Sequence, residues 1–409
     1  MRNCRKGISM KIIISLFASI TTALSFAATP QVKNVKAFQQ YPWGENVYIS
    51  YEVEGDVAES AGSCNTPFLF VTAKDKTTDR TCVASYPFLS GDTGTAAGLH
   101  KIIWNISAQG VTNNSNNVVF TVAYWKPEYC VIDLSSGPRS SSYPISYLAD
   151  VPDGGWTDEY KTTKLALRMI APGTFKMGGS IATTISQPFY IGVFEVTQKQ
   201  YSLVVGSNPS KFIGDKLPVE SVSYNAIRGE INGAKWPTSS AVDSTSFMGK
   251  LRARTGLNFD LPTEAQWEYA CRAGTATTFS YGDSEDGDYM WYKSNSTGSQ
   301  HEVGAKQPNS WGLYDMHGNV NELCLDWFGT LPGGTDPKGP SSGSWRVLRG
   351  GVWYVYADNC TSSFRNSIGP SDGYNYFGFR LVRTVSDLAA EALRQVSKGA
   401  VASKDACAK

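Results

Sequence analysis

Between Trp311 and Glu322 the chain reads W-G-L-Y-D-M-H-G-N-V-N-E, with side-chain oxygens at Asp315, Asn319 and Glu322 and no helical or strand period. Carboxylate and amide oxygens spaced by glycine describe an ordered loop, held by the packing of Trp311 and Tyr314 with hydrogen bonds alone or with a hard cation besides. Two further segments have the same dense character. One is L-P-T-E-A-Q-W-E-Y-A-C-R-A-G from Leu261; the other is R-V-L-R-G-G-V-W from Arg346, closed by F-G-F-R from Phe377.

Other chemistries are poorly supplied. The only histidines are His100, His301 and His317, which argues against a zinc centre or a histidine-based nucleophile triad. His317 is expected to face solvent or to complete a hydrogen-bond network. The formal charge of +1 includes Arg2, Arg5, Lys6 and Lys11; without those four it falls to −3, so no nucleic acid is expected as a partner.

The elements that must position these residues fall into five stretches. Residues 1–27 have a basic start, an apolar run from Ile12 to Ile20 and small residues at Ser25-Phe26-Ala27, the pattern of a cleaved secretory signal. The mature protein is therefore expected to be secreted or periplasmic, with no stable membrane span after signal cleavage. Residues 28–125 read as an all-β sandwich, immunoglobulin-like, with strands at Val47–Val53, Phe68–Ala73, Lys101–Ile106 and Val118–Tyr124. Residues 126–164 are a connector that packs along a domain surface through Tyr129, Val131, Ile132, Tyr143 and Tyr147.

The second domain spans 165–383. Leu165–Ile170 is predicted as a strand, with Phe175–Gly179 as its partner across a turn at Pro172-Gly173-Thr174, and Phe189–Phe194 as another strand. Helices are predicted from near Thr197, from Ser240 to Leu251, and from Thr263 to Ala270, where Gln266 closes a capping box. Residues 384–409 are a C-terminal helical tail capped by Ser386-Asp387. Seven cysteines remain after signal cleavage, an odd number; Cys64 with Cys82 could close a loop, and Cys407 lies in the tail.

The second domain resembles the sulfatase-modifying-factor family, whose founding enzymes generate formylglycine. The resemblance runs through Met177-Gly178-Gly179, Glu195-Val196-Thr197, Pro218-Val219, Val222-Ser223 and then the three segments above. It implies a mixed α/β, C-type-lectin-like fold rich in irregular loops. It also implies calcium on the side chains of Asp315 and Glu322 and the carbonyls of Gly318 and Val320, although Asn321 and Leu323 stand where the family has aromatic residues. Cys271 and Cys324 are expected to pair as a structural disulfide.

Catalytic members hold copper(I) between two cysteines just after the glycine pair. The second of these maps to Cys360, whereas the first maps to Val355, and the family serine becomes Val352. Soft thiolates select a cuprous ion, and one thiolate does not make a linear site. The domain is therefore read as non-catalytic, recognising an exported peptide, a sulfatase or a glycan, with Trp353, Tyr354, Tyr356, Tyr374, Tyr376 and Phe377 around the cleft. Arg349 and Arg380 either reach that cleft or pair with internal carboxylates. The alternative is a copper-dependent formylglycine-generating oxidase with Cys360 as a ligand and Cys407 as a possible second one.

Overall fold

The computed structural model describes residues 31–39, 46–54, 68–75, 81–84, 89–91, 98–105, 118–125, 128–148 and 150–385. The expected signal peptide, the tail helix, Cys64 and Cys407 lie outside them. The chain divides into two compact units, the second of them Pro127–Ser386.

The first unit is built of strands alone among its described residues: β1 (Gln31–Gln39), β2 (Asn46–Glu54), β3 (Phe68–Asp75), β4 (Thr81–Ala84), β5 (Leu89–Gly91), β6 (Gly98–Asn105) and β7 (Val118–Trp125). They form two antiparallel sheets, ordered β1-β2-β6-β5 and β4-β3-β7. Along β2, Val47, Ile49, Tyr51 and Val53 are buried and alternate with more exposed residues, as the period-two pattern of the sequence requires.

The second unit contains β8 (Tyr129–Asp133), β9 (Ile145–Leu148), β10 (Lys164–Ile170), β11 (Gly173–Met177), β12 (Ile181–Ile185), β13 (Phe189–Gly192), β14 (Asn321–Trp327), β15 (Gly334–Thr335), β16 (Arg346–Arg349), β17 (Asn366–Ile368), β18 (Phe377–Gly378) and β19 (Val382–Thr384). Its helices are short: α1 (Gln198–Val205), α2 (Tyr224–Arg228), α3 (Phe247–Thr255) and α4 (Glu264–Arg272). The sheets run β19-β13-β10-β8-β9, β11-β12-β15 and β17-β16-β14-β18. No helix among the described residues is long and apolar enough to cross a membrane.

Residues 126–164 do more than connect. Tyr129, Val131 and Ile132 are buried in β8, which pairs with β10 on one side and β9 on the other. Anchors that the sequence offers for surface packing are instead the interior of a five-stranded sheet.

The predicted hairpin is corrected as well. β10 pairs with β8 and β13, while β11 pairs with β12. At Gly173 an added Cβ would lie 2.2 Å from the Tyr269 hydroxyl, and the Phe175 and Tyr269 rings sit 5.3 Å apart, so the chain leaves β10 to cross α4.

Helix starts follow their caps. Thr197 and Thr263 each close a capping box with the glutamine three residues on, Gln200 and Gln266. α3 begins later than the sequence suggests, because Asp243 is committed to the backbone N–H groups of Ile231 and Asn232, at 2.9 Å each, and Ser246 takes the cap. Phe247, Met248 and Leu251 do face inward.

Candidate functional site

The loop from Trp311 to Val320 is held by backbone conformations and hydrogen bonds rather than by a ladder. Asp315, Gly318 and Asn319 all take positive φ, at 56°, 80° and 58°. At Gly318 a Cβ would fall 2.0 Å from the Trp291 carbonyl oxygen, so no other residue fits that backbone. The Gly318 N–H donates to the Gly350 carbonyl at 2.7 Å, tying the loop to the R-G-G segment.

Asn319 is the knot. Its N–H donates to Trp291 O and its carbonyl accepts from Trp353 N, both at 2.9 Å. Its side-chain Oδ1 accepts from His301 N at 3.0 Å, and its Nδ2 donates to Glu195 Oε2 at 2.7 Å. Glu195 Oε1 also accepts the Val320 N–H, at 3.2 Å. Glu195 appears in the sequence as one step of a motif, yet its partner lies more than a hundred residues away, which no local pattern reveals.

Behind the loop, three buried carboxyl groups surround one guanidinium. Arg380 donates to both oxygens of Glu322, and Trp267 Nε1 adds a bond of 2.8 Å to Oε2. Burial first, then the charges of Asp315 and Glu322, push the Glu195 carboxyl well above the usual carboxylate range. Burial likewise pushes Asp315 up to about 6, although Gly304 N donates to its Oδ2 at 2.6 Å. The atoms of Asp315, Gly318, Val320 and Glu322 that the resemblance offers are hard oxygens, the type calcium takes, while no cluster of three or more acidic, histidine or cysteine side chains that could hold a metal ion occurs among the described residues. Glu322 is bound by Arg380 through both oxygens, whereas Asp315 has no direct ion pair with it.

Both arginines pair internally. Arg349 is buried between Glu264 and Glu268, with Glu268 also held by Arg272 Nε at 2.9 Å and Glu264 by Arg365 Nη2 at 2.7 Å. Neither Arg349 nor Arg380 is exposed, so neither offers charge to a ligand.

Cys360 sits in an apolar cluster with Phe279, Met290, Tyr292 and Ala357, and Val355 packs against it. Burial pushes its thiol up to about 12. That cluster contains no second cysteine, so it does not supply the pair of thiolates that a linear cuprous site needs. His317 does not face solvent: its Nδ1 lies 2.7 Å from Cys360 O and its Nε2 accepts from Ser280 N at 3.1 Å. Burial lowers its pKa to about 4, which keeps the ring neutral.

The expected Cys271–Cys324 disulfide is not formed; both are free, buried thiols. Cys271 Sγ points at Met316 O and His317 Nε2, at 3.7 and 3.8 Å, whereas Cys324 lies on β14 near the charges of Glu264 and Asp326. Burial, the first cause in each case, raises both thiols.

Outward from Cys360 the surface is aromatic. Val352, Ala357 and Cys360 turn inward while Tyr354 and Tyr356 are 40% and 61% exposed. Ring contacts run from Phe212 to Trp353 at 6.0 Å, then to Tyr354 at 5.1 Å, Tyr376 at 5.0 Å and Tyr374 at 5.6 Å, with Phe377 4.5 Å from Tyr376. Lys293 Nζ lies 4.2 Å from the centre of the Tyr356 ring and 3.0 Å from its hydroxyl. Phe212 and Lys293 are the members that the sequence did not single out, because both come from loops distant in the chain.

Residues 157–385 match the model of the FGE-sulfatase family, the sulfatase-modifying factor enzyme 1-like domain. The chain is 31% identical over 251 residues to the chaperone protein LppX of Paenibacillus barcinonensis, covering 51% of this chain and 87% of that one. It is 34% identical over 141 residues to a formylglycine-generating enzyme of Streptomyces coelicolor, covering 29% of this chain and 45% of the enzyme. Among solved structures, Treponema denticola variable protein 1 is similar at 33% identity and a TM-score of 0.46, covering 55% of this chain and 96% of that one.

Proposed function

The chain belongs to the FGE-sulfatase family, and from that premise we propose that its second unit keeps the family scaffold as a recognition module for an exported peptide or glycan and does not run copper oxidation. The observation that carries this reading is the segment from Val352 to Cys360. Its Cys360 lies in an apolar cluster with Val355 packed against it and no second thiol, and its outward residues expose Tyr354 and Tyr356. Tyr354 and Tyr374 each contact the Tyr376 ring, at 5.0 and 5.6 Å, and so present ordered apolar faces with hydroxyl groups at the rim, which suits stacking on sugar rings or on peptide side chains.

Calcium at Asp315, with the carbonyls of Gly318 and Val320 and the Arg380-matched Glu322, would stiffen the loop behind this surface. Export is supported by the basic and apolar start of the sequence, and the two antiparallel sheets of the first unit support its kinship with immunoglobulin-like modules. The irregular loops and short helices of the second unit support a C-type-lectin-like fold.

The test is binding of the exported chain to peptide and glycan arrays, repeated with Tyr354→Ala and Tyr374→Ala. The expected result is a hit that both substitutions weaken at least tenfold without altering thermal unfolding. An aldehyde formed at the cysteine of a sulfatase-derived peptide by copper-treated protein would overturn the reading.

A further inference from the structure

Asp326, on β14, is 1% exposed. Its Oδ2 accepts the Glu264 N–H at the start of α4, at 2.8 Å, and its Oδ1 is buried with no hydrogen-bond partner. The backbone of one glycine lies close to Oδ1. Gly339 passes over it at φ +71°, and an added Cβ there would lie 2.9 Å from Asp326 Oδ1.

The covering segment is tethered at both ends. Asp336 N donates to Thr184 O and its Oδ1 accepts from Ser186 N, each at 2.8 Å, while Trp345 O accepts from Phe328 N at 2.7 Å. Between these ties, Pro340 rests on Gly329 and Lys338 lies 5.6 Å over the Trp236 ring. We propose that residues 337–342 form a proton-controlled flap: with Asp326 protonated it lies shut over β14, and loss of that proton to solvent releases it.

The charged groups around Asp326 set the balance. Glu264 faces it from α4, Arg346 from β16 and Arg365 from the segment before β17, with the Cys324 thiol on its own strand. Glu264 opposes ionisation and the two arginines favour it, but burial outweighs them and pushes the carboxyl up to about 8. A carboxylate with one oxygen cut off from water is costly, and displacing the segment that brings Gly339 close to it admits water there.

Trypsin reads the flap at the Lys338–Gly339 bond, with cut sites identified by mass and rates corrected by a control peptide. Between pH 6.5 and pH 9 the wild-type rate at this bond should rise on the order of tenfold, with circular dichroism unchanged. Asp326→Asn, neutral throughout, should resist at both pH values. Gly339→Ala, whose methyl group would strike the carboxyl, should be cut at both. A corrected wild-type rate that does not change with pH, or an Asp326→Asn protein that follows the wild type, would overturn the proposal.

Discussion

Arg380 holds Glu322 in a fork, Nε to Oε2 and Nη2 to Oε1, each at 2.6 Å, with neither side chain exposed. The same guanidinium donates to the carbonyls of Gly192 and Tyr314, both at 2.9 Å, so it joins β13, the central loop and β14 at one point. A buried pair of this kind adds little net stability over an apolar replacement of both residues, but removing one member strands the other.

Arg380→Met is therefore expected to cost about 3–5 kcal/mol in denaturant unfolding. Arg380→Lys, which keeps the charge without the fork, should recover only part of that loss. An Arg380→Met protein as stable as the wild type would show that the fork is not the anchor of the loop.

Calcium should raise the melting temperature, and a chelator should lower it. At a free concentration about a hundredfold above Kd the gain is about 2.7 kcal/mol. Asp315→Ala, which removes the carboxylate that Arg380 does not neutralise, should abolish the response while Glu322 stays paired. Identical melting curves with calcium and with chelator would rule out the site.

How much of this was legible depends on the range of the interaction. The capping box at Thr263 spans four residues and could be read directly, as could the helix start near Thr197 and the alternation along β2. The loop around Asp315 was legible as irregular because its residues obey no period. The partners that position it were not, since Asn319 meets Glu195 and Arg349 meets Glu264 only after the chain has crossed the fold. β8 was missed for a related reason: five residues, four of them buried, carry no alternation to separate a central strand from an apolar anchor. The Cys271–Cys324 pair failed because a disulfide depends on where two side chains point, which spacing does not encode.

Val355 stands where the family resemblance implies a second copper-binding cysteine. Wild-type protein should leave cuprous ion with a chromophoric chelator of moderate affinity, because Val355 and not a second thiol packs against the cluster that holds Cys360. Val355→Cys should withdraw the ion stoichiometrically and show a thiolate–copper absorption band. Equal withdrawal by wild type would mean that another ligand completes the site.

Stability should fall as pH rises across the range set by Asp326. Its folded value, pushed up to about 8 chiefly by burial, stands above the unfolded value of 3.8. The native state therefore binds the extra proton between those limits. Its contribution to stability is fully present below the unfolded value, declines through the interval by at most about 1.4 kcal/mol per pH unit, and is gone above the folded value. Asp326→Asn carries no proton to lose, so the difference between the two proteins' unfolding free energies should slope across this window and flatten on either side. A constant difference from pH 4 to pH 8 would mean that Asp326 is ionised in the native state throughout, with water or a rearranged Arg346 meeting the oxygen that now has no partner.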